Sequence, residues 1–208
     1  MNTVILDQKP AISHLLTKLR DKNTPAPDFR NTLETLSLLV IGEALEKAPS
    51  EKATVETPVG NAEVRRIIEN KVVGAPILRA ALGMVRPFMK LLPAASISYV
   101  GLKRDEKTLE PDYYYDSLPD NLIGKTVFVL DPMLATGGSA VAAAKLIDKR
   151  SPDKIVFCAI IAASEGVSRL DEAFPDMPVY IAAIDKHLNE NGYIIPGLGD
   201  AGDRLFGT

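Results

Sequence analysis

Val127-Phe128-Val129-Leu130-Asp131-Pro132-Met133-Leu134-Ala135-Thr136-Gly137-Gly138-Ser139 is the stretch that decides how this chain is read. An apolar run of strand length ends in an acid, a short loop follows, and Thr-Gly-Gly-Ser leads into a helical pattern over 139–149. Gly137 and Gly138 let the backbone turn tightly and approach a ligand closely. The N–H groups around them lie at a helix N-terminus, where the dipole favours an anion, and Thr136 and Ser139 add hydroxyls. The segment reads as a phosphate cup, with Asp131 at the carboxyl end of the strand to accept hydrogen bonds from sugar hydroxyls. A plainer reading is a turn before a helix capped by Thr136 or Ser139. Thr-Gly-Gly-Ser alone does not separate the two; the strand and acid before it favour the phosphate site. It is not a Walker loop, because no Gly-Lys-Ser/Thr follows four variable residues.

Outward from this stretch, short apolar runs at 72–77, 97–102, 155–162 and 179–183 alternate with helical patterns at 80–92, 139–149 and 167–173. With 126–130 they predict an α/β fold: a doubly wound, five-stranded parallel sheet in flavodoxin-like order. In that order the strand before Arg79 and the strand before Asp131 are neighbours, so Arg79 faces the cup across the crevice. Pro87 predicts a kink or early end in the helix over 80–92. Before residue 70, Pro10 opens a helix carrying Ile12, Leu15, Leu16 and Leu19. After a break at 23–27, a second apolar helix covers 33–45, and 53–67 reads as a hairpin around Pro58-Val59-Gly60. The polar segment 103–120, with Tyr113-Tyr114-Tyr115 at its centre, interrupts the alternation as a long loop of the functional kind. Residues 185–208 are Gly- and Asp-rich without helix or strand period, and Asp203 beside Arg204 reads as a paired turn. The expected organisation is one domain over 1–208. It comprises N-terminal helices and hairpin (1–70), an arm (103–120) and a terminal segment (185–208).

Composition sets the class. The chain has 208 residues, 46% hydrophobic and 25% charged, too apolar for disorder. Its net charge of −3 argues against a nucleic-acid binder. The single cysteine, Cys158, excludes an internal disulfide, fits a reducing compartment, and reads as an inert core thiol. Met1-Asn2-Thr3 shows no basic region before an apolar core, and no apolar run approaches a membrane span, so a cytoplasmic location is expected. His14 and His187 are lone histidines with no chemical role in these patterns.

The strand, acid and Thr-Gly-Gly-Ser resemble the phosphoribosyl-pyrophosphate (PRPP) loop of the type I phosphoribosyltransferases. Residues 131–139 resemble in particular the form found in uracil phosphoribosyltransferases, which share Pro132 where most of the larger family has a second acid. The resemblance extends to Pro76-Ile77-Leu78-Arg79-Ala80, to Thr108-Leu109-Glu110-Pro111 and to Gly192-Tyr193-Ile194-Ile195-Pro196-Gly197-Leu198-Gly199-Asp200-Ala201-Gly202-Asp203-Arg204. It implies transfer of the 5-phosphoribosyl group of PRPP to N1 of uracil, giving UMP and pyrophosphate with Mg²⁺ as cofactor. PRPP contacts are then expected from Arg79, Arg104, Asp131, Pro132, Met133, Leu134, Ala135, Thr136, Gly137, Gly138, Ser139 and Asp200. Uracil contacts are expected from Ile194, Gly199, Asp200 and Ala201, largely through main chain. Arg79, Arg104, Asp131 and Asp200 carry the catalytic roles. The metal is expected on PRPP and water near Asp200, with no direct protein ligand. Within the charge run, Lys103 reads as an ordinary solvated side chain and Arg104 as a second pyrophosphate arginine. Tyr113, Tyr114 and Tyr115 read as packing or subunit contacts. The resemblance further implies a homo-oligomer, dimer or tetramer, and GTP as an effector, with neither nucleic acid nor membrane as partner. The alternatives are a phosphoribosyltransferase for another base and a PRPP-binding regulator that binds RNA; the net charge disfavours the latter.

Overall fold

The computed structural model describes residues 2–104 and 111–208. The chain opens with β1 (Asn2–Ile5), α1 (Pro10–Arg20), α2 (Ala26–Ala44) and a hairpin of β2 (Ser50–Thr57) and β3 (Gly60–Ile67). The alternating part comprises β4 (Val72–Leu78), α3 (Leu82–Leu91), β5 (Ser96–Ile97), β6 (Val100–Arg104), β7 (Pro111–Asp116), β8 (Thr126–Leu130), β9 (Met133–Leu134), α4 (Gly138–Asp148), β10 (Lys154–Ala163), α5 (Ser164–Ala173) and β11 (Pro178–Asp185). A ribbon of β12 (His187–Leu188) with β13 (Ile194–Ile195), and the short α6 (Ala201–Phe206), close the chain.

The central sheet runs β1-β11-β10-β8-β4-β6-β7, with β5 beside β4 and β9 beside β10. Its five inner strands, β6-β4-β8-β10-β11, stand in the expected flavodoxin-like order and are parallel. Of these, β4, β8, β10 and β11 are almost wholly buried and mostly apolar because both faces are covered, whereas β6 ends in Lys103 and Arg104. Phe128, Leu130, Val156, Cys158 and Ile160 pack with α1, α2, α3 and the C-terminal segment. Val127, Val129, Ile155, Phe157 and Ala159 pack with α4 and α5 on the other side.

Several elements differ from the sequence expectation. The sheet gains two edges: β1 pairs parallel with β11, and β7 pairs antiparallel with β6. The arm expected as a loop is therefore a β-hairpin extending β6, although 105–110 lie outside the described residues. Helix α2 begins at Ala26, so the Pro-rich break supplies its N-terminus, where proline lacks no needed N–H. Helix α3 runs through Pro87 to Leu91. Proline removes the bond to the Gly83 carbonyl, but burial of Met84, Pro87 and Phe88 carries the helix past it. The C-terminal segment, expected without regular structure, forms a ribbon and a helix too short for periodicity to reveal.

Candidate active site

The strand carrying Asp131 extends further than its apolar run. Leu130 opposes Cys158 on β10, and Met133 and Leu134 oppose Ile161 and Ala162 in the same register. Between them the Asp131 N–H donates to the Cys158 carbonyl (3.1 Å), and the Pro132 carbonyl accepts from Ile160 (3.2 Å) and Ile161 (3.0 Å). Asp131 is thus fixed in the sheet rather than in a loose loop. It is only 9% exposed. Burial pushes its carboxyl from the usual 3.8 up to about 7, against a smaller lowering by the Met133 N–H that its Oδ1 accepts at 3.2 Å.

Beyond Leu134 the chain turns at Gly137, whose φ of 76° is left-handed, and enters α4. The N-cap residue of α4 is Gly137, which has no side chain, and Thr136 Oγ1 accepts the Gly138 N–H at 3.4 Å, so the turn-and-cap reading of Thr136 and the cup share one geometry. Residues 131, 133–140 and Asp200 line a recess of about 270 Å³ at this helix start. Its floor is tight. A Cβ built on Gly166, in the first turn of α5, falls 2.3 Å from the Ala135 carbonyl oxygen and 2.6 Å from that of Leu134. One built on Gly137 falls 2.8 Å from the Gly166 carbonyl oxygen. Loop and helix touch backbone to backbone, which only glycine at 166 allows. Nothing in the sequence around Ser164-Glu165-Gly166 signals this.

A larger cleft of about 900 Å³ adjoins the recess and shares Met133, Ala135 and Asp200 with it. Arg79, following β4, lines it from one side; Ile194, Gly199, Asp200 and Ala201 line it from another. The cup, Arg79 and the C-terminal segment therefore converge, as the sequence reading required. The Arg104 side chain and residues 108–110 lie outside the described residues. The cleft also holds Lys103, Tyr114, Asn191 and Tyr193, to none of which the sequence reading gave a ligand contact. Lys103 is exposed and lines the cleft. Tyr114 lies over Gly101, where an added Cβ would meet its ring at 2.6 Å.

The Asp203–Arg204 turn pair does not form. Asp200 caps α6, its Oδ1 accepting the Asp203 N–H at 3.0 Å. Arg204 instead donates to the carbonyls of Leu19, Leu198 (2.8 Å) and Asp21 (2.7 Å) and stacks over Phe29, 4.2 Å from the ring centroid. Cys158 is fully buried and its thiol is pushed far up by burial, as expected of an inert core cysteine. His14 and His187 are both exposed and line neither cavity.

A doubly wound sheet bearing a strand, an acid and Thr-Gly-Gly-Ser at its switch point defines a type I phosphoribosyltransferase. The fold is shared with the adenine phosphoribosyltransferase of Trypanosoma brucei (TM-score 0.56, 10% identity, 91% of this chain and 87% of that one). A solved Aquifex aeolicus protein is closer, with TM-score 0.91 and 41% identity over 98% of this chain and 97% of that one. The sequence profile of the family described as Uracil phosphoribosyltransferase matches residues 5–208. The uracil phosphoribosyltransferase of Pediococcus pentosaceus is 48% identical over 98% of this chain and 97% of its own length. That of Geobacillus kaustophilus is 47% identical over the whole of both chains. This chain belongs to the uracil phosphoribosyltransferase family.

Proposed function

We propose that the chain transfers the 5-phosphoribosyl group of PRPP to N1 of uracil, releasing pyrophosphate and UMP. The observation that carries this beyond family membership is the convergence of Arg79, the 131–139 cup and residues 194 and 199–201 on adjoining cavities. The cup holds the 5-phosphate on backbone N–H groups, Asp131 holds the ribose hydroxyls, and Arg79 with Arg104 stabilises charge on the departing pyrophosphate. As that bond breaks, C1′ gains oxocarbenium character, uracil N1 bonds to C1′ without a covalent enzyme intermediate, and the N1 proton is released to solvent. That Asp200 lines both cavities supports reading it as the carboxylate between the base and the sugar phosphate. Asp131 and Asp200 facing one recess suit a hard cation such as Mg²⁺, held mainly by substrate oxygens and water, with Asp200 near its waters. Bound there, Mg²⁺ supplies charge neutralisation of the pyrophosphate.

The proposal includes a cytoplasmic homo-oligomer. Support for assembly comes from the hairpin β2–β3: none of its residues is buried, and an isolated two-stranded hairpin is marginal in water. A second copy covering it resolves that. Support for GTP as effector is the family resemblance alone. Among the described residues no helix is long and apolar enough to cross a membrane.

Base specificity is tested by pyrophosphate release from PRPP, with and without Mg²⁺, across a base panel. Uracil offers acceptor, donor, acceptor along one edge, matched by main-chain groups. Cytosine inverts part of that pattern, and a mismatched polar site discriminates by about 10²–10⁵-fold. Uracil is expected to react only with Mg²⁺; cytosine, orotate and hypoxanthine are expected to be very poor. Comparable turnover of orotate or hypoxanthine would overturn the assignment.

The backbone contact at Gly166 yields a second prediction. Gly166→Ala must push the 134–137 loop away, and a displacement of about 1 Å at a reacting group costs as much as about 10²-fold. KM for PRPP is expected to rise at least about tenfold while KM for uracil changes little. Unchanged PRPP kinetics would show that the loop tolerates the shift.

A further inference from the structure

Residues 195–198 separate the two stretches assigned to uracil and supply none of the expected base contacts. Yet charged side chains hold their backbone. The Gly197 N–H donates to Asp185 Oδ2 at 2.8 Å, and the Gly197 carbonyl accepts from Arg20 Nη1 at 2.9 Å. Arg20 grips Asp185 with both guanidinium arms, Nη1 to Oδ2 at 2.8 Å and Nη2 to Oδ1 at 2.7 Å. One residue further, the Leu198 carbonyl accepts from Arg204, which also binds the Leu19 and Asp21 carbonyls at the end of α1. We propose that Arg20, Asp185 and Arg204 are positioning residues that lock the base-binding backbone and so set affinity for uracil rather than for PRPP. This rests on the reading that residues 194 and 199–201 hold the base.

The physical argument has three parts. Asp185 is 8% exposed, and taking a carboxylate out of water is costly unless its oxygens are filled. Here they are filled by Arg20 and the Gly197 N–H, which outweigh burial and hold the carboxyl below its ordinary value. Second, Arg204 places its cation against the last carbonyls of α1, the negative end of a helix dipole, so the N-terminal helix becomes the anchor for a C-terminal loop. Third, the loop has no slack. Gly197 is left-handed at φ 63°, and an added Cβ there would sit 2.1 Å from the Ile194 carbonyl oxygen. Gly197 is therefore pressed against the residue that begins the base contacts. Main-chain recognition has no side chain to readjust, so its precision is that of the backbone. The hydrogen bonds of the lock join residues 19–21, 185, 197–198 and 204.

The test is steady-state kinetics on Asp185→Asn, Arg20→Ala, Arg20→Lys and Arg204→Met, with Gly199→Val as reference, alongside thermal melts. Gly199→Val disturbs the base-contacting backbone itself, since φ 79° is unfavourable for a β-branched residue. Loss of the lock is expected to raise KM for uracil at least about tenfold with KM for PRPP within about twofold. Arg20→Lys is expected to recover only part, because a point charge cannot bridge both Asp185 oxygens and the Gly197 carbonyl. Should Asp185→Asn not fold, Arg20→Lys still decides, the Arg20 side chain being 27% exposed. An equal rise in both KM values, or a lowered Tm with normal KM for uracil, overturns the lock. If Gly199→Val raises KM for uracil and the lock variants do not, the lock alone falls. If Gly199→Val leaves it unchanged, the base lies elsewhere and both readings fall.

Discussion

Arg79→Ala is expected to lower kcat/KM for PRPP by about 2–4 kcal/mol, the scale for losing one preorganised group that stabilises developing charge. Arg79 is exposed in the turn between β4 and α3, and its carbonyl already accepts the Leu82 N–H at 3.0 Å as that helix starts. Its guanidinium has one aromatic neighbour, Phe206, 6.0 Å from the ring centroid. Among the described residues no carboxylate pairs with it. A cation without a carboxylate partner among the described residues, at the rim of the cleft proposed to take the pyrophosphate, suits that ligand and is expected to contribute little to folding. Thermal melts of the variant should overlay those of the parent, and Arg79→Lys should restore only part of the rate, since a point charge lacks the bidentate fork. Near-normal kinetics for Arg79→Ala would reduce Arg79 to a surface residue.

Strands β4, β8, β10 and β11 were legible because burial on both faces leaves nearly continuous apolar runs, and the alternation with helices fixes their parallel order. The edges were not. In β1 the exposure pattern is exposed at both ends and intermediate between, so no alternation marks it, and it is a strand because β11 offers a free parallel edge. The arm failed for the opposite reason: a polar sequence became a strand because β6 supplies the pairing. At the site, the cup was legible because glycine, hydroxyl and acid residues there are local in sequence. Arg20, Asp185 and Gly166 were invisible for lack of locality. Arg20 is 165 residues from Asp185, and Gly166 matters through a contact with the backbone of Ala135. Arg204 was quoted in a motif yet misassigned, because its partners are carbonyls on a helix end near residue 20 rather than the adjacent acid.

Asp131→Asn should produce an enzyme that is more stable and nearly inactive. In the folded protein burial raises the Asp131 carboxyl from 3.8 to about 7, so between those values the native state binds a proton that the unfolded chain has lost. Its contribution to stability is fully present below about pH 3.8, falls as pH rises towards 7, and stays lost above. A shift of that size corresponds to about 4 kcal/mol by pH 8. Asparagine keeps the shape and the acceptor for the Met133 N–H at 3.2 Å but carries no charge to desolvate. The variant should melt well above the parent at pH 8, with the gap closing as pH falls towards 4. Function is expected to run the other way, because in the proposed role Asp131 accepts from the ribose hydroxyls as an ionised carboxylate, a stronger acceptor than the acid or the amide. In the parent, kcat/KM for PRPP should fall about tenfold per pH unit below 7 as that form is lost. The variant should be slow at every pH, with that limb of the profile gone. A parent profile flat from pH 6 to 8, or an Asp131→Asn protein less stable than the parent at pH 8, would show that this carboxyl is ionised and compensated by a partner other than the Met133 amide.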